Sequence, residues 1–388
     1  MLSTLIGSVK LENCIFNASG PRCGSAEALA KIASSNSGAI LSKSATLLKN
    51  EGNSLPRSIP KINLGPNYCD GSFNSEGLPN LGIEHYIHQD TIKKLSIYSK
   101  PYFISLSGSS LDDNCEMLQK VLDVSVSGRI TGIELNLACP NVSGKPIIAY
   151  DFEQMNSVLM RIIEIVRKYK NKNIKKKDPF AFGIKLAPYL DGQMINQAVD
   201  VILKYKEDID FVTTCNTIGN AMFVDTDQEC MSIKGKGNTG LGGVGGGFIK
   251  NVALANIRQL YNHFQERGAS NIDIIGVGGI STGNDAFQAI LCGATAVQVG
   301  TCYWKEGPQC FKRIQNELMS IMKAKGYTSI KDFKGKLKKY KSHTCKVNHI
   351  YNNEAEVDAN RFYMKAVIVM LISVVALTLA TLFKKDMY

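Results

Sequence analysis

A thiol set between two amides stands out among the residues that could do chemistry. Cys139 lies in Asn136-Leu-Ala-Cys-Pro-Asn141, at the end of an apolar run from Gly132 to Ala138 that Pro140 must break. A cysteine is more often a small buried hydrophobe than a reactive group. Here it falls at the C-terminal tip of a strand, before a Gly144-Lys145-Pro146 turn that could fold over it as a lid.

Other groups of the same kind end other strand-like runs. Lys43 and Lys185 are lysines near strand termini, where burial demands an anionic partner such as a reduced flavin ring or an acidic substrate. Val277-Gly278-Gly279-Ile280 and Val299-Gly300-Thr301 place small residues at two consecutive strand ends, where backbone N–H groups can approach a phosphate closely. Asn74 and the pair Asn216-Thr217 join Asn136 and Asn141 at the same face. Each amide both donates and accepts, which suits a planar substrate with carbonyl and imide groups, although Asn is also common in turns.

The elements that must position these groups repeat as strand then helix. Strand-like runs cover Gly38 to Ser42, Pro101 to Ser107, Gly132 to Ala138, Phe180 to Leu186, Asp210 to Cys215, Asp273 to Val277 and Ala296 to Val299, with a weaker eighth near Lys61 to Leu64. Helical periodicity covers Leu111 to Val126, Glu153 to Lys170, Gly192 to Tyr205, Ile249 to Phe264, Asn284 to Leu291 and Pro308 to Lys325. The pattern predicts an α/β fold, a TIM (β/α)8 barrel with insertions, over residues 1–340. Met1 to Phe16 reads as a hairpin closing the barrel bottom, and the glycine-rich Lys234 to Gly247 as a loop without a strand of its own.

Composition narrows the function classes. The 388 residues are 44% hydrophobic, enough for one large core. Eleven Cys show no C-x-x-C pair and no Cys/His zinc spacing, which argues against a disulfide framework and a metal, and fits a reducing, cytosol-facing compartment. The net charge of +11 is concentrated rather than spread. Seven Lys against one Asp lie between Lys331 and Lys346, and Lys172, Lys175, Lys176 and Lys177 form a second cluster that reads as a solvated loop. No aromatic-interleaved basic pattern points to nucleic acid.

Beyond Tyr340 the composition changes. A polar, basic linker over 341–365 leads into Ala366 to Phe383, whose most polar members are Ser373, Thr378 and Thr381. A helix of that length spans about 27 Å, close to the hydrocarbon thickness of a bilayer. Lys365 before it and Lys384 and Lys385 after it suit interface anchors. The expectation is a C-terminal transmembrane helix over 366–383 with a short tail at 384–388, tail-anchoring a cytoplasm-facing barrel.

The chain from Met1 to Tyr340 resembles the dihydroorotate dehydrogenases, specifically their class 1A, fumarate-using branch. The segments that carry the resemblance are Asn17-Ala-Ser-Gly20, Ser42-Lys-Ser44, Gly77-Leu-Pro-Asn-Leu-Gly82, Asn136 through Pro146, Ala149-Tyr-Asp-Phe-Glu153, Asn216-Thr-Ile-Gly-Asn220, and Asp285-Ala-Phe287 through Lys305-Glu-Gly-Pro308. The resemblance implies FMN-dependent oxidation of dihydroorotate to orotate in pyrimidine biosynthesis, with fumarate leaving as succinate, in a homodimer. It makes Cys139 the base that takes the C5 proton while hydride passes from C6 to FMN. Lys43, Asn74, Gly77, Leu78, Asn136, Asn141, Asn216 and Thr217 would hold the substrate, and Lys43, Ala18, Ser19, Ser44, Lys185, Gly246, Gly278, Gly279, Gly300 and Thr301 the cofactor.

Some positions depart from the family pattern: Glu76 stands where Met is common, and Ala138 and Thr217 each where Ser is common. An acidic Glu76 beside an anionic substrate would repel it unless it points outward. Residues 66–73 and 172–177 look inserted, and the tail is foreign to a class that is ordinarily soluble. Two other readings are a quinone as acceptor and a degenerate barrel serving as a membrane-tethered scaffold. The complement Lys43, Cys139, Lys185 and Asn216 argues against the scaffold.

Overall fold

The computed structural model describes residues 1–65, 69–125, 128–138, 147–173 and 178–340. Cys139, Asn141, the turn 144–146, Lys175 to Lys177 and everything from 341 onward lie outside the described residues, as do the linker and the 366–383 segment. Among the described residues no helix is long and apolar enough to cross a membrane.

Residues 1–337 form one compact unit around an eight-stranded sheet. Its strands are β1 (Ile15–Asn17), β2 (Ile40–Leu41), β3 (Tyr102–Leu106), β4 (Gly132–Asn136), β5 (Ala181–Lys185), β6 (Phe211–Thr214), β7 (Asp273–Val277) and β8 (Ala296–Val299). All the ladders are parallel, running from β2 through β3, β4, β5, β6, β7 and β8 to β1. Helices Ala26–Ala33, Gln89–Ser96, Leu111–Ser125, Phe152–Asn173, Gly192–Leu203, Lys250–Glu266, Gly283–Cys292 and Gln309–Ala324 follow the strands in turn, as a βα barrel requires. Within the helices the buried residues fall at helical spacing, such as Met155, Leu159, Ile162 and Val166 in Phe152–Asn173.

The ring closes between β1 and β2 without a regular ladder. Asn17, fully buried, lends its side chain instead: Nδ2 donates to the Leu41 carbonyl at 2.7 Å, and the Leu41 N–H donates to Oδ1 at 2.9 Å. One amide thus satisfies both backbone groups of a neighbouring strand. Just below, the Gly38 N–H donates to the Ile15 carbonyl at 2.8 Å. A Cβ at Gly38 would lie 1.7 Å from the Asn13 carbonyl oxygen, so no other residue fits that approach.

Two expectations need correction. The eighth barrel strand is Ile15–Asn17, not the run near Lys61; that run belongs to Ser58–Ile62, an edge strand of a separate antiparallel sheet. The hairpin of Thr4–Ile6 and Val9–Leu11 therefore ends before Phe16, and the chain enters the barrel at once. Second, the glycine-rich stretch does hold a strand, Gly242–Gly246, paired with Gly71–Asn74 on one side and Ile218–Ala221 on the other. Packing forbids side chains at its two ends: a Cβ at Gly242 would sit 2.6 Å from the Asn74 carbonyl oxygen, and one at Gly246 2.4 Å from that of Asp70. The four-stranded sheet so formed is built from the insertions after β2 and β6.

Replacing Asn17 with Ala should strand the Leu41 N–H and carbonyl in the core, at about 1–3 kcal/mol for each group. Urea unfolding is expected to show a loss of at least about 2 kcal/mol, while Asn17→Asp should recover the N–H partner only.

Candidate active site

The strand ends and the antiparallel sheet enclose a cavity of about 780 Å³. Lys43 and Ser44 reach it from the end of β2, Asn136 and Ala138 from β4, Lys185 from β5, and Asn216 and Thr217 from just beyond β6. Gly278 and Gly279 border it beyond β7, and Gly300 and Thr301 beyond β8. Ala18 and Ser19 follow β1, while Asn74, Gly77, Leu78 and Gly246 come from the sheet and its loops. Every expected site residue that is described therefore borders one space; Cys139 and Asn141 fall outside the description.

The asparagines do structural work as well as facing the cavity. Asn136 Nδ2 donates to Ser44 Oγ at 3.2 Å, and its Oδ1 accepts the Ala138 N–H at 3.1 Å. Asn216 Nδ2 donates to the Ala138 carbonyl at 3.0 Å, and its Oδ1 accepts the Thr217 N–H at 2.9 Å. Both backbone groups of Ala138, the residue before Cys139, are thus held by side-chain amides from two strand ends. Asn74 Nδ2 donates to the Gly243 carbonyl at 3.2 Å, across the antiparallel sheet.

Beneath the cavity runs a hydroxyl chain that the sequence did not announce. Ser19 Oγ accepts the Ser44 N–H at 2.7 Å, Ser44 and Ser105 hydroxyls meet at 2.8 Å, and Ser105 is fully buried. Alternation along Phe103-Ile-Ser105 would have put Ser105 on the inner face, the one signal available for it. Ser72 was missed because its segment read as an inserted loop. Its hydroxyl lies 2.8 Å from that of Thr301, and Lys305 pairs with Asp70, fastening the sheet to the end of β8.

Lys43 and Lys185 are both buried, at 8% and 4% exposure. Among the described residues no carboxylate forms an ion pair with Lys185, so its charge faces the cavity. Burial pushes the Cys215 thiol up to about 12, with the Lys185 charge opposing, and burial likewise raises Cys23 against the charges of Lys43 and Lys185. Neither thiol is poised to compete as a base near neutral pH.

Glu76 is among the residues that border the cavity. Its charge is met by Arg57, whose Nε lies 2.9 Å from Glu76 Oε2, with the two side chains 23% and 11% exposed. Arg57 Nη1 also donates to the Glu51 and Asn53 carbonyls at 2.9 and 3.1 Å, which fixes the pair on the loop before Gly77. The ion pair removes the repulsion expected of a lone carboxylate.

Comparison with known proteins bears on this geometry. The family model for dihydroorotate dehydrogenase matches residues 1–322. The chain belongs to the dihydroorotate dehydrogenase family. It is 42% identical over 341 residues to dihydroorotate dehydrogenase A (fumarate) of Lactococcus lactis subsp. cremoris, covering 87% of this chain and 99% of that one. Against the dihydroorotate dehydrogenase (fumarate) of Kluyveromyces lactis it is 42% identical over 330 residues, covering 84% and 95%. In fold it matches DHODH from Eimeria tenella in complex with ferulenol, at a TM-score of 0.66, 20% identity, and coverage of 86% and 88%.

FMN is the cofactor of dihydroorotate dehydrogenases of this type, and the residues present fit it. The cavity offers a buried ammonium at Lys185 for an electron-rich ring. At its other side, Gly278 and Gly279 have φ of +129° and +70° and pack so tightly behind that a Cβ would come within 2.9 Å of Ala253 Cβ and 2.5 Å of Lys250 Cβ. Gly300 meets nothing closer than Ala18 Cβ at 3.7 Å, leaving its backbone open to a phosphate.

Arg57→Met should leave Glu76 as an uncompensated carboxylate at the cavity wall. With orotate as an anionic probe, titrated through the flavin absorbance, affinity is expected to fall roughly tenfold, or about 1.4 kcal/mol, and to recover in the Arg57→Met, Glu76→Met double variant.

Proposed function

We propose that this chain oxidises dihydroorotate to orotate in pyrimidine biosynthesis, with fumarate, reduced to succinate, as the second substrate. The observation that carries the reading is the convergence of Lys43, Lys185, Asn74, Asn136 and Asn216 on one cavity in a chain that covers the fumarate-type relatives almost end to end. FMN supplies the two-electron acceptor that no side chain provides.

The protein's part is binding, orientation and one proton. The amides of Asn74, Asn136, Asn141 and Asn216 present donors and acceptors to the carbonyl and imide edges of the substrate, and the Lys43 ammonium meets its negative charge. Cys139 takes the C5 proton. The residue before it, Ala138, is bonded at both its N–H and its carbonyl, which holds that end of the strand. Lys43 borders the cavity, and an ammonium beside a thiol would favour the thiolate that a base must populate. Thr217 sits beside Asn216, with its N–H on Asn216 Oδ1 orienting that amide.

The same reading takes in assembly and location. The functional unit is a homodimer, as the resemblance to class 1A implies, and the 366–383 segment anchors the barrel to a membrane with its catalytic unit in the cytoplasm. Support for the anchor is the apolar run flanked by Lys365, Lys384 and Lys385. Deleting 341–388 is expected to move the protein from the membrane pellet to the supernatant; a full-length chain found in the supernatant refutes the anchor.

Stopped-flow spectroscopy tests the reaction directly. Dihydroorotate should bleach the flavin absorbance and fumarate should restore it; faster reoxidation by a soluble quinone would assign the acceptor differently, and a colourless protein that gains no flavin on adding FMN would support a scaffold. Cys139→Ala should still bind FMN but be reduced by dihydroorotate at least about 10²-fold more slowly.

A further inference from the structure

The inside of the barrel is graded from oily to charged. At its base the rings of Phe16 and Phe103 stack at 6.4 Å, and Phe103 meets Phe211 edge-on at 6.0 Å. One inward step higher come Glu134, Thr213 and Gln298, each no more than 1% exposed. A further step along the same strands reaches Asn136 and Gly300 at the cavity, with Lys185 opposite Asn136 in the ladder.

Glu134 is an expensive residue to place there. Its Oε2 accepts Thr213 Oγ1 at 2.8 Å and Gln298 Nε2 at 2.8 Å, while Oε1 has no partner among the described residues. The other buried carboxylates are ion-paired, Asp208 to Arg167 at 2.7 Å and Asp285 to Lys250 at 2.5 Å. Glu134 has only neutral donors, and they are the kind that favour an ionised oxygen. Lys185 stands two residues up the adjacent strand, a backbone spacing of about 8 Å from strand rise and strand separation combined.

We propose that Glu134 is a positioning residue for the redox reaction: an ionised counter-charge under Lys185 that lowers the electron affinity of the flavin bound above. This rests on reading the cavity as the FMN site. A hydride carries two electrons and one proton, so its arrival gives a neutral ring one negative charge, which Lys185 stabilises. A site holding Lys185 without Glu134 would keep those electrons too tightly to pass them on to a second substrate. The buried carboxylate offsets part of the lysine's field and lets one cavity serve both half-reactions.

The test is the midpoint potential of the FMN-loaded protein, measured for the parent and for Glu134→Gln, which keeps the shape and an acceptor for Thr213 and Gln298. The expected result is about a tenfold shift towards reduced flavin, which is about 30 mV more positive for a two-electron couple. Glu134→Asp, which restores the charge, should return most of that shift, a rescue that a purely structural role would not give. An unchanged or more negative potential in FMN-loaded Glu134→Gln overturns the proposal. If that variant does not fold, Thr213→Val removes one donor from the carboxylate, disfavours its ionised form, and is expected to move the potential in the same direction; no movement there also overturns it. A parent protein that binds no FMN refutes the cavity reading instead.

Discussion

A barrel of parallel strands has no free edge to spare, and here the last seam is closed by a side chain together with a backbone bond at the strand entry. Seven of the junctions are backbone ladders; the eighth, between the first and second barrel strands, runs through the amide of Asn17 to Leu41. The residues that follow these two strands are Ala18 and Ser19 on one side and Lys43 and Ser44 on the other, all at the cavity. The Ser19–Ser44 bonds lie directly above the seam, so the same few residues hold the ring shut and shape the floor of the site. A side chain suits this place better than a ladder because the second strand is only two residues long.

The polar residues of the site are arranged so that each one serves twice. Asn136 and Asn216 face the ligand space while securing the strand end that leads to Cys139, and their hydrogen bonds with protein fix which way each amide points. Arg57 and Glu76 bring a cancelled pair of charges to the wall, and Lys185 brings an ammonium without an ion-pair partner among the described residues to the floor. Preorganisation of this kind places fixed dipoles where charge will change, so little reorganisation is left for the reaction itself.

Much of this arrangement is legible in the amino-acid sequence. Seven barrel strands can be read because each is a run of apolar residues buried on both faces, and the lysines, asparagines and Gly-Gly pairs at their ends then point to one face. Ile15–Asn17 escapes because three residues directly after a hairpin have no pattern of their own. The run near Lys61, part of Ser58–Ile62, passes for a barrel strand because apolar residues recur in it, although its pairing is antiparallel and none of its residues is buried. Gly242–Gly246 is invisible for the opposite reason: a strand that must be bare to let its neighbours approach leaves no side-chain signal. The Arg57–Glu76 pair, joining residues that a sequence reads separately, emerges only in three dimensions.

The antiparallel sheet over the cavity carries a consequence for biosynthesis. Its central pairing joins Gly71–Asn74 to Gly242–Gly246, and Ser72 is then bonded to Thr301. Chain emerging from a ribosome reaches the first of these segments long before the others. While the chain between Asn74 and Gly242 is made, Gly71–Asn74 lacks that partner strand and presents an unpaired strand edge to whatever else is nearby. The site is therefore assembled late, for the edge is covered only when Gly242–Gly246 arrives and Ser72 gains its Thr301 partner later still.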